Sequence, residues 1–325
     1  MQLLRNLPST NKLSVYQRPA CLARQLPHLY SRCHASYAEA PLDSVPVDLD
    51  FLEQIPENGN NTDGALVILH GLFGSKRNWS SLSKAFSRDL ETPVYALDLR
   101  NHGSSPHALP MTYTSMATDV LNFIGKKNLS KVSLLGHSMG GKVAMALALN
   151  PSLPPSMLQN LIVADIAPVR TQLSPEFISY IKAMKRIENM RLRTRKEAQN
   201  VLTEYEKDPD VVLFLMTNIL MPHSESNREN YIRFRVPLKY MEDAMPEIGS
   251  FPYVPNETKW DGRTLFIKGR KSKFINHHYH QIMEDFFPNM TIETLDAGHW
   301  GTNFASWISF RPNEFMQLVK SFIAS

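Results

Sequence analysis

One stretch constrains the fold of this chain more than any other: residues 131–145, KVSLLGHSMGGKVAM. Val132, Leu134 and Leu135 make an apolar, β-branched-flanked run. It enters a turn of Gly136, His137, Ser138, Met139 and Gly140, and a helix-forming run follows over 141–149. G-x-S-x-G between a strand and a helix places its serine on a tight, strained turn at the top of a sheet. Gly136 and Gly140 lack a Cβ, so strand and helix can approach closely there. Ser138 then heads the helix, where free N–H groups and the helix dipole favour negative charge. The competing reading is a glycine-rich turn whose serine only caps a helix. The strand before and the helix after favour a nucleophile.

The remainder supplies a frame for such a turn. Apolar runs at 47–55, 65–69, 94–97 and 158–164 read as strands, and amphipathic runs at 78–88 and 113–127 read as helices. This alternation predicts βαβ units and a mostly parallel central sheet flanked by helices. After 164 the alternation stops. Pro175 behind Ser174, and Pro209 behind Asp208, mark helix starts. Consecutive helices are predicted over 174–219, then helical or irregular chain through Pro222, Pro237, Pro246, Pro252 and Pro255. Residues 171–258 thus read as a helical lid inserted before the last strands, 263–267 and 290–295, with helices at 278–287 and 311–323. Met184, Phe214, Met216 and Met221 could line an acyl site, but their spacing favours ordinary helix packing.

A serine hydroxyl needs a base, and the base an orienting acid. His299, in a loop directly after a late strand, is the best base, and its position gives the order Ser…Asp…His. For the acid, the loop after the lid strand, 269–274, holds no carboxylate. Asp165, at the end of the 158–164 strand, is the choice, with Asp296 and Asp98 as lesser alternatives. Two backbone amides should receive an oxyanion, those of Leu72 and Met139. His277, His278 and His280 resemble a metal cluster but have no acidic or Cys partner, and read as a solvated helix start.

Residues 1–38 carry Arg5, Lys12, Arg18, Arg24 and Arg32 and no acidic residue, the pattern of a mitochondrial presequence. The chain has 35 basic and 31 acidic residues; outside 1–38 the balance is 30 to 31, so its basicity gives no case for nucleic-acid binding. Both cysteines, Cys21 and Cys33, lie in the same segment, which excludes a disulfide framework, a Cys-ligated zinc or a thiol nucleophile in the rest. The sequons at Asn78 and Asn256 read as chance without a secretory signal. No run approaches the roughly 20 apolar residues that span a bilayer, so an integral membrane protein is not expected.

The ordered set HGLFGS, LDLRNHGSS, GHSMGGKVAM, DIAPV and DAGHW, across 47–325, resembles one branch of the α/β-hydrolase family. That branch holds the YbfF-type esterases, abhydrolase-domain protein 11 and the fungal ethanol acetyltransferases. The resemblance implies an α/β-hydrolase fold and a triad of Ser138, Asp165 and His299, the acid being the Asp of DIAPV. The fungal members are largely mitochondrial and include enzymes that make ethyl acetate from acetyl-CoA and ethanol and also hydrolyse acetyl-CoA and esters. The implied activity is therefore alcohol acetyl transfer in the mitochondrial matrix, with side hydrolysis and no cofactor. Its partners would be a small acyl ester or thioester such as acetyl-CoA, and an alcohol or water. The alternatives are a carboxylesterase or thioesterase without ester synthesis, and a mitochondrial binding protein without turnover. One departure stands out: GTNFASWIS, after Trp300, is longer than the family's usual link to the last helix.

Overall fold

The apolar runs become strands because their side chains alternate between two buried faces. In β2 (Ala65–Leu69) every residue is buried. Ala65, Val67 and Leu69 join one core cluster, and Leu66 and Ile68 join another. The same division continues through β3 (Val94–Leu97), β4 (Val132–His137), β5 (Leu158–Ala164) and β8 (Arg263–Gly269). The computed structural model describes residues 45–60, 62–270, 272–295 and 311–325. The segment 1–38 with its two cysteines, Asp296, His299 and the stretch after Trp300 lie outside the described residues.

Seven strands form the sheet in the order β1-β3-β2-β4-β5-β8-β9. All neighbours are parallel except β1 (Phe51–Gln54), which runs antiparallel to β3. β9 (Met290–Leu295) closes the far edge. The strand at 47–55 is shorter than the sequence suggests. The Val47 N–H is taken by Asp119 Oδ1 at 2.8 Å and the Asp50 N–H by the Ser105 hydroxyl at 2.8 Å, so side chains replace the strand ladder there.

Helices cover both faces. On one lie α1 (Ser80–Leu90), which follows a 3-10 turn at Lys76–Trp79, and the last helix, α9 (Pro312–Ala324). Phe315 of α9 sits 6.2 Å from the Trp79 ring and 6.5 Å from Phe86, and all three are buried. Truncating such a ring typically costs about 3–5 kcal/mol, so this trio holds the end of the chain to the sheet. The other face carries α2 (Tyr113–Lys126), α3 (Met139–Ala148) and α8 (His280–Phe286), through Met116, Val120, Val143, Leu147, Met283 and Phe286.

Between β5 and β8 stand α4 (Pro175–Asn189), α5 (Arg195–Tyr205), α6 (Pro209–Met216) and α7 (Leu238–Gly249). Their starts follow the sequence signals. Pro175 and Pro209 occupy first-turn positions, Asp208 caps α6 through the Asp210 N–H, and Thr194 and Glu197 form a capping box on α5. A two-strand hairpin, β6 (Ile219–Leu220) with β7 (Arg233–Phe234), interrupts the helices. Two residues per strand leave no alternation to read, so this pairing is not legible in the sequence. Met184 and Met216 are buried within the helical core, and Phe214 and Met221 pack against it, as helix packing requires. This core is continuous with the sheet's, so the segment has no separate interior.

From β2 the chain moves outward to β3 and then returns to β4 on the opposite side. The loops after β2 and β4 therefore leave the sheet in opposite directions. Such a switch point opens a crevice at the carboxyl ends of the strands.

Candidate active site

Ser138 stands at that crevice, between β4 and α3, with φ +52° and ψ −117°. A non-glycine residue in this region stores about 1–3 kcal/mol and persists only where its surroundings fix it. Here the Ser138 N–H donates to the Ala164 carbonyl (2.9 Å), and the Ser138 carbonyl accepts from the Lys142 N–H (3.1 Å). The flanking glycines are needed for contact. A Cβ on Gly136 would lie 2.2 Å from the Gly140 carbonyl oxygen, and one on Gly140 would lie 2.5 Å from those of Leu69 and His70. Ser138 itself is partly exposed in a turn whose neighbours are buried.

The loop after β2 comes against this turn. A Cβ on Gly71 would be 3.1 Å from His137 Nδ1 and 3.4 Å from Ser138 Cβ. Leu72 and Met139, the two residues expected to offer amides, are both buried, one on each side of the crevice. Neither backbone N–H donates to another described residue.

Two histidines hold that loop, a role the sequence reading did not assign. The Leu99 N–H donates to His70 Nε2 (3.0 Å), which needs a lone pair there and puts the proton on Nδ1. Nδ1–H then donates to the Gly71 carbonyl (2.8 Å), which also accepts from the Gly74 N–H at 2.9 Å. This carbonyl belongs to the same peptide unit as the Leu72 N–H, so fixing one directs the other. His102, in the loop after β3, repeats the arrangement at Phe73. Its Nε2 accepts from the Phe73 N–H (3.2 Å) and its Nδ1–H donates to the Arg100 carbonyl (3.0 Å). The rings lie 4.9 Å apart. Burial pulls both below the ordinary histidine range, His102 to about 3, so both are neutral spacers. His137 is likewise pulled down to about 4 by burial and by its proximity to His70. The histidines stand in the HGLFGS and LDLRNHGSS stretches, and only the folded contacts reveal what they do.

Asp165 follows β5, the strand beside β4, with φ +58°. Its N–H donates to the Ile267 carbonyl at 2.9 Å, and its Oδ1 lies 3.5 Å from the Gly269 N–H. The described loop after β8 offers no carboxylate beside it. Asp98, by contrast, follows β3, with β2 between it and the elbow strand. Its carboxylate is occupied by the Lys76 N–H (2.6 Å), the Lys76 ammonium (2.7 Å) and the Ser104 N–H (2.8 Å). Burial works to raise its pKa, but these donors outweigh burial and hold it below the usual carboxylate value. Asp98 is thus a structural anion joining the loops after β2 and β3. Among the described residues no group of three or more His, Cys, Asp or Glu is placed to hold a metal; His277 and His278 stack on each other at an exposed turn. No described helix is long and apolar enough to cross a membrane.

The helical segment 171–258 is tied to the same edge of the sheet. Lys142 Nζ reaches the Ser250 carbonyl (2.8 Å), and the Tyr113 hydroxyl donates to the Ile248 carbonyl (2.7 Å). Asn218 donates to the Phe73 carbonyl (2.8 Å).

Comparisons with known proteins agree with this architecture. A family model described as alpha/beta hydrolase fold matches residues 64–302. A Saccharomyces cerevisiae protein named "Probable alcohol acetyltransferase" is 38% identical over 247 residues, covering 72% of this chain and 71% of its own. The Danio rerio protein named "sn-1-specific diacylglycerol lipase ABHD11" is 34% identical over 275 residues, covering 83% and 82%. Among solved structures, a marine microorganism esterase superposes with a TM-score of 0.73 at 32% identity, covering 85% of this chain and 99% of its own.

Proposed function

Because this chain belongs to the α/β-hydrolase fold family, we propose that it transfers acyl groups through Ser138, acting as an alcohol acetyltransferase that also hydrolyses thioesters and esters. The observation that carries this reading is the backbone of Ser138. It is held at φ +52° at a helix start, beside two buried amides with no partner among the described residues. Strain of this kind is retained where a side chain must be presented.

In this mechanism His299 takes the Ser138 hydroxyl proton as the oxygen attacks the acyl carbonyl. Asp165 orients the imidazole and stabilises its positive charge. The carbonyl oxygen becomes an oxyanion and accepts from the Leu72 and Met139 amides. Collapse breaks the bond to the thiol or alcohol, which leaves with the proton from His299. An alcohol or water then attacks the acyl-serine by the same route in reverse, giving an ester or an acid and restoring Ser138. All groups come from the chain. The helical segment 171–258 acts as the lid, and its exclusion of water sets the balance of synthesis over hydrolysis.

Acetyl-CoA as donor and ethanol as acceptor rest on the relatives named as alcohol and ethanol acetyltransferases. A purely hydrolytic role draws on the relatives named as diacylglycerol lipases. Purified protein supplied with acetyl-CoA and ethanol separates them: free CoA and ethyl acetate in parallel support synthesis, and CoA with acetate alone supports hydrolysis. Labelling by a fluorophosphonate, lost in Ser138→Ala, tests the nucleophile; unchanged labelling overturns it. The acid-free basic segment 1–38 supports a mitochondrial location. A reporter fused to residues 1–40 that stays diffuse in the cytosol overturns that assignment.

A further inference from the structure

We propose that Asn218 is a positioning residue through which the helical segment shapes the loop that receives the acyl oxygen. This rests on the reading that the Leu72 amide binds that oxygen. The Asn218 side chain is buried, and its amide nitrogen is 2.8 Å from the Phe73 carbonyl oxygen. A carbonyl only accepts, so the amide NH2 faces it.

Phe73 is the residue that gives this bond its effect. It is a bulky side chain with φ +60°, directly after Leu72, and it is 1% exposed. The left-handed conformation is unfavourable for such a residue and needs external support. Its two polar groups are held from opposite sides: the N–H by His102 of the loop after β3, the carbonyl by Asn218. Without Asn218 the buried carbonyl loses its described partner, and relaxation to negative φ would turn the peptide next to the Leu72 amide.

The hairpin sets Asn218 in place. Asn218 directly precedes β6, and its own carbonyl accepts from the Arg235 N–H (2.8 Å), just past β7. The Arg235 carbonyl in turn lies 2.9 Å from His107 Nε2. A segment inserted after β5 thus braces a loop that follows β2, so acceptance of charge on the acyl oxygen depends on the lid being seated.

The test uses the full chain with Asn218→Ala and Asn218→Asp, p-nitrophenyl acetate as substrate, and an alkyl trifluoromethyl ketone as inhibitor. The ketone adds Ser138 Oγ to its carbonyl carbon, with the serine proton passing to His299 and the electron pair to the oxygen. It therefore reports the oxyanion pocket directly. Asn218→Asp keeps the shape and exchanges the donor for an acceptor, so it carries the test where Asn218→Ala does not fold. The expected result is a kcat lower by about tenfold to a hundredfold, with KM changed less than about twofold. The ketone's Ki should rise by the factor by which kcat/KM falls. An unchanged kcat, or a raised KM with the ketone Ki unmoved, overturns the proposal, since a merely structural anchor would leave oxyanion binding intact. A wild-type chain without esterase turnover, or a Ser138→Ala variant that keeps it, overturns the acyl-transfer reading and this proposal together.

Discussion

Lys142 Nζ donates to the Ser250 carbonyl at 2.8 Å across 108 residues of chain. A second contact, 3.3 Å, reaches the Gly249 carbonyl at the end of α7. Lys142 is one helical turn beyond Ser138, so the helix that starts at the serine is tied to the end of α7. Gly249 must be a glycine here, since a Cβ would lie 2.6 Å from the Thr171 carbonyl oxygen, where the segment begins. The start of the insertion, the end of α7 and the elbow helix therefore meet at one point.

Replacing Lys142 with Met keeps the stem and removes both donors. It should cost about 1 kcal/mol, because the half-buried Ser250 carbonyl loses its described partner while the Gly249 carbonyl keeps the Thr171 N–H at 2.9 Å. Burial also pulls the Lys142 amine down to about 7. Between there and the ordinary lysine value the unfolded chain holds a proton that the folded chain does not, so this group makes stability rise with pH. The slope is about 1.4 kcal/mol per pH unit. Urea unfolding at pH 7, 8 and 9 should show that rise in the wild type and a flatter profile in Lys142→Met.

The buried histidines act in the same direction at lower pH. His102 and His137 have folded values near 3 and 4, below the unfolded value of 6.5. As pH falls through 6.5 the unfolded chain takes up protons that the folded chain refuses, and stability drops. For the two together the slope approaches about 2.7 kcal/mol per pH unit well below 6.5. Unfolding curves between pH 7 and 5 should reveal it, with a shallower slope in His102→Gln. Equal slopes would mean that His102 accepts a proton in the folded state.

Arg100 and Asp119 form a buried two-bond pair, Nε to Oδ2 at 2.6 Å and Nη2 to Oδ1 at 2.7 Å, and Arg100 also reaches the Pro110 carbonyl at 2.6 Å. Arg100→Met should cost about 3–5 kcal/mol by leaving a buried carboxylate unpaired. Arg100→Lys should recover little, because a point charge cannot serve the fork of acceptors. Arg100→Met combined with Asp119→Leu should be more stable than Arg100→Met alone. Thermal denaturation of the three variants checks the order.

Two glycines offer a contrast in one measurement. Gly140→Ala drives a Cβ to 2.5 Å from backbone oxygens of β2 and its following loop and should destabilise by roughly 3 kcal/mol, with loss of serine labelling. Gly125→Ala, in α2 with nothing within 4 Å, should stabilise by about 0.5–1 kcal/mol. Denaturant midpoints of both variants decide it.

The sequence alone determined the elbow and the strands of the seven-stranded sheet after β1, because apolar alternation and glycine spacing are local properties that need no partner to be read. Val94–Leu97, Leu158–Ala164 and Met290–Leu295 begin and end where their hydrophobicity does. The starts of α4 and α6 were legible at Pro175 and Pro209, since capping is settled within one turn. It also nominated Ser138 and Asp165 by their positions after strands. Only the tertiary structure decided that Asp98 is committed to Lys76 and Ser104, that His70 and His102 are neutral spacers, that Asn218 joins the insertion to the loop after β2, and that Lys142 joins it to the elbow helix. Each of those facts is a hydrogen bond or ion pair, most of them between residues far apart in the chain, and its existence depends on where the sheet order β3-β2-β4-β5 brings the loops together. Local pattern fixes which residues can form an element; the closing of long loops fixes which side chains meet.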